Sequence, residues 1–243
     1  MLFGGIWCGV VCLSKAIKLT PRLAAVADLV SKGGRVADIG TDHGYLAVHL
    51  VQAGLAERVV AADKNAGPLA AAARSVAEAD LAEKIILRQG DGLSVLAVGE
   101  VDTICVAGMG GSLIADILGT SREVWQSARS LVLQPMNGVA ALRRFVYENA
   151  WHITTEKLAA EGEHIYVIFR AEPGKRPMPS PVCLEVGENF ATVDDAIFRR
   201  YVEGIVAKAK RRADGLSHSS RPQDKRERER VCQFIDELRK IIC

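Results

Sequence analysis

From Leu19 onward, short uninterrupted apolar runs alternate with longer stretches in which apolar residues recur every three or four positions. A run of four or five apolar residues suits a strand buried on both faces, whereas the three-to-four spacing suits a helix with one buried side. Thr20-Pro21 reads as an N-cap with proline at the first helical position. The helix it opens carries Leu23, Val26 and Val30 on its apolar face, and Gly33-Gly34 stops it. Strands are predicted over 35–39, 58–62, 84–88, 103–107 and 130–134. Between them the spacing predicts helices over 45–52, 68–79, through Ile114 and Leu118, and over 138–149. Stretches 153–158 and 164–170, parted by Glu161-Gly162, read as a hairpin.

Five short apolar strands alternating with helices imply an α/β fold. Its parallel sheet is covered on both faces, because right-handed crossovers place the helices there. After Arg170 the pattern changes. Pro173, Pro177 and Pro179 mark a linker, and Phe190, Val193, Ile197, Tyr201 and Ile205 then recur at helical spacing up to the basic run Lys208-Ala-Lys210-Arg211-Arg212. A turn is expected from Asp214-Gly215 to Ser220, followed by a second amphipathic helix through Val231, Phe234, Ile235, Leu238, Ile241 and Ile242. The expected division is an irregular leader (1–18), a globular domain (19–171) and a C-terminal α-helical hairpin (172–243). No internal repeat is visible.

With 49% apolar and 25% charged residues, the 243-residue chain is not a disordered one. A net charge of +2 excludes a wholly basic nucleic-acid coat, yet residues 172–243 hold 15 basic against 12 acidic side chains. A grip on a polyanion is therefore expected at that end. The first thirteen residues are apolar and uncharged, too short for a bilayer span of about 20 residues, and their lysines follow rather than precede the run as a signal peptide would require. Six scattered cysteines without a CxxC pair fit a reduced cytoplasmic chain, and no Cys/His quartet has zinc spacing. No metal and no membrane partner are expected, and a monomer is the expected state.

The most informative stretch is Val36-Ala-Asp38-Ile-Gly40-Thr-Asp42-His43-Gly44-Tyr45-Leu46, a strand running through a glycine turn into a helix. Open α/β sheets bind ligands at such strand ends. The dinucleotide fingerprint G-x-G-x-x-G is absent, because Asp42 stands where its second glycine would be. A carboxylate there repels a pyrophosphate but tolerates a ligand carrying a sulfonium and an amino group, which favours S-adenosylmethionine over a dinucleotide. Asp38 can take the ammonium of such a ligand. Asp63, at the end of the second strand, can accept two ribose hydroxyls, although it also reads as an acidic helix cap. Asp91, in Gly90-Asp91-Gly92-Leu93, can accept from an adenine amino group, and alone it would be an ordinary turn residue. Ala107-Gly108-Met109-Gly110-Gly111 lets backbone approach a flat substrate, and Gln134, in Gln134-Pro135-Met136-Asn137, is placed to orient a base edge.

These motifs, in this order and spacing, resemble the bacterial tRNA (adenine(22)-N(1))-methyltransferases, the TrmK family, over about residues 19–170. The resemblance implies a Rossmann-like class I fold that depends on S-adenosylmethionine, in which the closing antiparallel hairpin is a methyltransferase feature rather than a dehydrogenase one. It implies cofactor binding by Asp38, Gly40, Asp42, His43, Gly44, Asp63, Lys64, Asp91, Gly92 and Ala107, although Lys64 departs from the family by placing a charge near the ribose. Asp42, His43, Gly108 and Met109 would line the reacting centre. Lys208, Lys210, Arg211 and Arg212 would contact tRNA phosphates. The competing readings are a methyltransferase of the same fold acting on a small molecule, and a non-catalytic protein that binds the cofactor or RNA. No Asn/Asp-Pro-Pro-Tyr/Phe motif is present, which argues against methylation of an exocyclic amine.

Overall fold

The computed structural model describes residues 17–190 and 194–242. All but the end of the predicted leader, Val193, and the cysteines Cys8, Cys12 and Cys243 thus lie outside the described residues. Seven strands form one sheet in the order β3-β2-β1-β4-β5-β7-β6. They are β1 (Gly34–Ile39), β2 (Ala56–Asp63), β3 (Ile85–Gln89), β4 (Thr103–Met109), β5 (Ser130–Pro135), β6 (Trp151–Glu161) and β7 (His164–Pro173). The first five are mutually parallel, and β7 runs antiparallel between β5 and β6.

Alternation along the strands sends successive side chains to opposite faces. On β4, Ile104 and Val106 join one core with Ile114 and Leu118 of α4 (Gly111–Thr120) and Leu142 of α6 (Val139–Glu148). Cys105 points into the other core, with Val26 of α1 (Pro21–Asp28), Leu46 and Leu50 of α2 (Tyr45–Gln52) and Val76 of α3 (Ala66–Glu78). Both faces are covered, as the unbroken apolar strands require. Thr20 caps α1 as its sequence implies, its hydroxyl accepting from the Leu23 amide.

Three local expectations are corrected, and two short helices are added. Helix α3 begins two residues before Pro68, so the proline sits inside its first turn, where no helical hydrogen bond is lost. Helices α5 (Arg122–Gln126) and α7 (Pro181–Val186) are too short to show a period. Asp214-Gly215 is no turn: α8 (Asp195–Ser217) runs through it, with Ala213 buried, and the chain reverses just before α9 (Pro222–Ile242). Phe190 lies outside α8, bridging to Glu156 on β6 and packing edge-on against Phe198. Helices α8 and α9 form the expected hairpin, and its core includes Val202, Val206, Val231, Ile235 and Leu238. Among the described residues no helix is long and apolar enough to cross a membrane.

Candidate functional site

The carboxyl ends of β1 to β5 share one rim, and the loops leaving them build two adjoining hollows. The turn after β1 is pinned to the neighbouring strand: the amides of Gly40 and Thr41 both donate to the Ala62 carbonyl, at 2.8 and 2.9 Å. Gly40 and Gly44 have positive φ, and a Cβ on Gly44 would lie 3.1 Å from Ala72 on α3. Glycine at 44 therefore lets α2 start tight against α3.

The first hollow, about 160 Å³, is lined among others by Asp63, Lys64, Asp91, Gly92, Leu113 and Ile117. One Asp63 oxygen accepts from the Asn65 amide at 2.7 Å. Because Asn65 holds the N-cap position of α3, Asp63 is not that helix's cap. Asp91 is exposed, and among the described residues its carboxylate has no hydrogen-bond partner. Gly92 has φ +55, and a Cβ there would press within 3.0 Å of Ile117. Lys64 is exposed at the mouth, its carbonyl accepting from the Gln89 side chain.

The second hollow, about 250 Å³, is lined by Arg22, Asp38, Asp42, His43, Gly44, Ala107 and Gly108 among others. Gly40 belongs to both hollows, and the Met109 methyl packs on the face where a Gly40 side chain would stand. Asp38 is buried, and this burial pushes its carboxyl up to about 6, which Thr41 partly offsets and the nearby Asp63 charge reinforces. Asp42 and His43 are exposed, with 3.4 Å between Oδ2 and Nε2. The His43 ring stacks on Tyr45, centroids 5.2 Å apart.

The structure thus brings together Asp38, Gly40, Asp42, His43, Gly44, Asp63, Lys64, Asp91, Gly92, Ala107, Gly108 and Met109, all singled out in the sequence. Gln134 is corrected. It is fully buried, its Oε1 accepts from Arg22 Nη1 at 2.7 Å and from the Gly108 amide at 2.9 Å, and its Nε2 donates to the Pro135 carbonyl at 3.0 Å. Its amide is committed to holding the end of β4 and has no edge to offer a base. Lys208, Lys210, Arg211 and Arg212 are exposed on α8 and line neither hollow, and Arg212 is paired with Glu227 at 2.6 Å. Sequence reasoning missed Arg22, Tyr45, Leu113 and Ile117. An arginine in the first turn of an ordinary helix carries no local signal. Leu113 and Ile117 were detectable as α4 residues one turn apart, following the glycine run.

Residues 19–169 match the family described as a methyltransferase domain. The tRNA (adenine(22)-N(1))-methyltransferase of Bacillus subtilis is 37% identical over 160 residues, covering 66% of this chain and 67% of its own. Among solved structures, the B. subtilis M1A22 tRNA methyltransferase TrmK superposes with a TM-score of 0.82 at 29% identity, covering 93% of this chain and 100% of that one. A putative tRNA (m1A22) methyltransferase of Streptococcus pneumoniae, in complex with S-adenosyl-L-methionine, gives 0.76 at 28% identity over 93% of this chain and 100% of that one. The likeness extends through the helical hairpin as well as the sheet, and by sequence and by overall fold the chain belongs to the methyltransferase-domain family and, within it, to the TrmK family.

Proposed function

We propose that this chain transfers the methyl group of S-adenosylmethionine to N1 of adenine 22 in tRNA, and that it does so in the cytoplasm. The observation that carries the reading is the row of carboxylates Asp38, Asp63 and Asp91 at the ends of three neighbouring strands, opening on two joined hollows. The donor set fits the cofactor. Asp63 and Asp91 suit ribose hydroxyls and an adenine amino group, and Leu113 and Ile117 offer apolar walls for the ring. Gly92 leaves the floor free of a side chain. Asp38 and Asp42 place negative charge where the positively charged end of the ligand belongs.

When bound, the cofactor supplies a methyl group activated by its sulfonium. Adenine N1 already carries a lone pair and the product ring is cationic, so the chain needs no strong base. Its task is positioning and the stabilisation of growing positive charge, by the Asp42 carboxylate and by the carbonyls of the turn after β4. The Gln134 amide holds the end of β4, which leads into that turn, through Gly108. N1 lies on the pairing edge, so a paired adenine must first leave its helix. The exposed His43–Tyr45 stack offers such a base a surface, with His43 orienting rather than taking a proton. Lys18 and Arg74 line an adjoining hollow of about 570 Å³ beside the same stack, where RNA phosphates can be neutralised. The basic run on α8 adds a second, more distant contact.

The test is to incubate an unmodified tRNA transcript with methyl-labelled cofactor, digest it and identify the labelled nucleoside. The reading predicts 1-methyladenosine at position 22. Label in small metabolites alone, or none, overturns it.

A further inference from the structure

Among the described residues Arg22 is the one lysine or arginine lining the hollow that holds Asp38 and Asp42, and its guanidinium forms no salt bridge with a protein carboxylate. The backbone amide of Arg22, not its side chain, donates to Glu161 Oε1 at 2.7 Å. The guanidinium itself makes one hydrogen bond, from Nη1 to Gln134 Oε1 at 2.7 Å, and lies over the Tyr166 ring with its carbon 5.8 Å from the centroid. Among the described residues it forms no ion pair and no other hydrogen bond. Neutral Gln134 and the Tyr166 face therefore fix the fork in place, while the Glu161 carboxylate, beyond ion-pair distance, still feels its charge. A buried acid, an exposed acid and a half-buried guanidinium held by neutral partners share one hollow of about 250 Å³.

That charge pattern is the inverse of an α-amino acid joined to a sulfonium, which carries two positive groups and one carboxylate. Were only the cations read, the hollow would need acids alone, and an unpaired guanidinium would weaken binding. A planar fork with free N–H groups matches a carboxylate in two-pronged geometry. We infer that Arg22 binds the α-carboxylate of the cofactor's methionine end, and that the Arg22–Gln134–Gly108 chain ties recognition of that carboxylate to the end of β4. This assignment rests on the cofactor reading above. It also accounts for the complete burial of Gln134, whose oxygen holds the carboxylate-binding arginine and the Gly108 amide together.

The test compares S-adenosyl-L-homocysteine with its decarboxylated analogue by calorimetry, on the full-length wild type and on Arg22→Met and Arg22→Lys. Wild type is expected to prefer the carboxylate-bearing ligand by about 10- to 100-fold, the worth of one charge-assisted pair. Arg22→Met should weaken that ligand by the same factor, leave the decarboxylated one nearly unchanged and so erase the preference, and Arg22→Lys should restore part of it. A merely structural role for Arg22 would weaken both ligands together, and that result overturns the assignment, as does an unchanged preference in Arg22→Met. A wild type that binds neither ligand removes the cofactor reading and this assignment with it, whereas failure of the assignment alone leaves wild-type binding intact.

Discussion

Arg143 on α6 and Glu156 on β6 form an ion pair of 2.6 Å in which both side chains are at most 2% exposed. The arginine also donates to the carbonyls of Leu184, Glu185 and Val186, and the second Glu156 oxygen accepts from the amides of Glu188 and Asn189. Gly187 must lack a side chain, since a Cβ there would lie 2.5 Å from that oxygen. Tyr201 of α8 donates to the Glu185 carbonyl, so the pair anchors both α7 and the base of the helical hairpin to the sheet domain. Removing one partner of a buried pair leaves the other charge uncompensated. Arg143→Met should therefore cost about 3–5 kcal/mol in denaturant unfolding. Below its unfolding transition the variant should lose tRNA affinity while keeping cofactor affinity.

If Asp38 holds the cofactor as proposed, its burial should couple cofactor binding to pH. Its folded value of about 6 lies above the ordinary 3.8, so the stability tied to its protonated form is fully present below pH 3.8 and lost as pH rises through 6. At neutral pH the buried carboxylate costs the cofactor-free protein up to about 3 kcal/mol. Asp38→Asn should accordingly melt higher than wild type at pH 8, with the gap closing towards pH 4. The same variant should bind cofactor poorly. Wild-type affinity should fall about tenfold per pH unit below 6 as the carboxylate is protonated. Melting curves and titrations at pH 5 and 8 check both signs.

Two glycines of one helix should respond oppositely to alanine. A Cβ on Gly111, where α4 leaves the β4 turn, would lie 2.7 Å from the Gly138 carbonyl oxygen and 2.8 Å from that of Asn137. Backbone cannot yield cheaply, so Gly111→Ala should destabilise by about 1–3 kcal/mol and lower kcat by shifting the end of β4, which carries Gly108 and Met109. Gly119, in the same helix, faces open space. Gly119→Ala should stabilise by roughly 0.5–1 kcal/mol with unchanged activity.

The basic run on α8 makes a graded prediction. Lys208, Lys210 and Arg211 are exposed and unpaired among the described residues, whereas Arg212 is held by Glu227. Changing the first three to Gln should weaken tRNA binding and reduce its salt slope by about one unit for each phosphate no longer neutralised. Arg212→Gln should do little to the slope. Filter binding across a salt series reads both, and an unaltered slope in the triple variant would make the run a solvated face.

The parallel strands and the glycine turns were legible because they depend on local chemistry: unbroken apolar runs, a Thr-Pro helix start, and glycines where φ is positive. Asp38, Asp63 and Asp91 were legible as acids at strand ends. What stayed hidden depends on partners distant in sequence. Gln134 reads as a polar group at the rim until Arg22, 112 residues away, is seen to occupy its oxygen. Asp214-Gly215 reads as a turn until the packing of Ala213 and its neighbours carries α8 through it. Arg143 and Glu156 look like two ordinary surface charges because nothing local announces that α7 will cover them.

The most direct test of the acidic rim is a titration of the purified chain with S-adenosylmethionine and, separately, with NAD. An acidic rim predicts one-to-one uptake of the sulfonium ligand, lost in Asp38→Asn, and no heat from the dinucleotide. Binding of NAD with indifference to S-adenosylmethionine would contradict it.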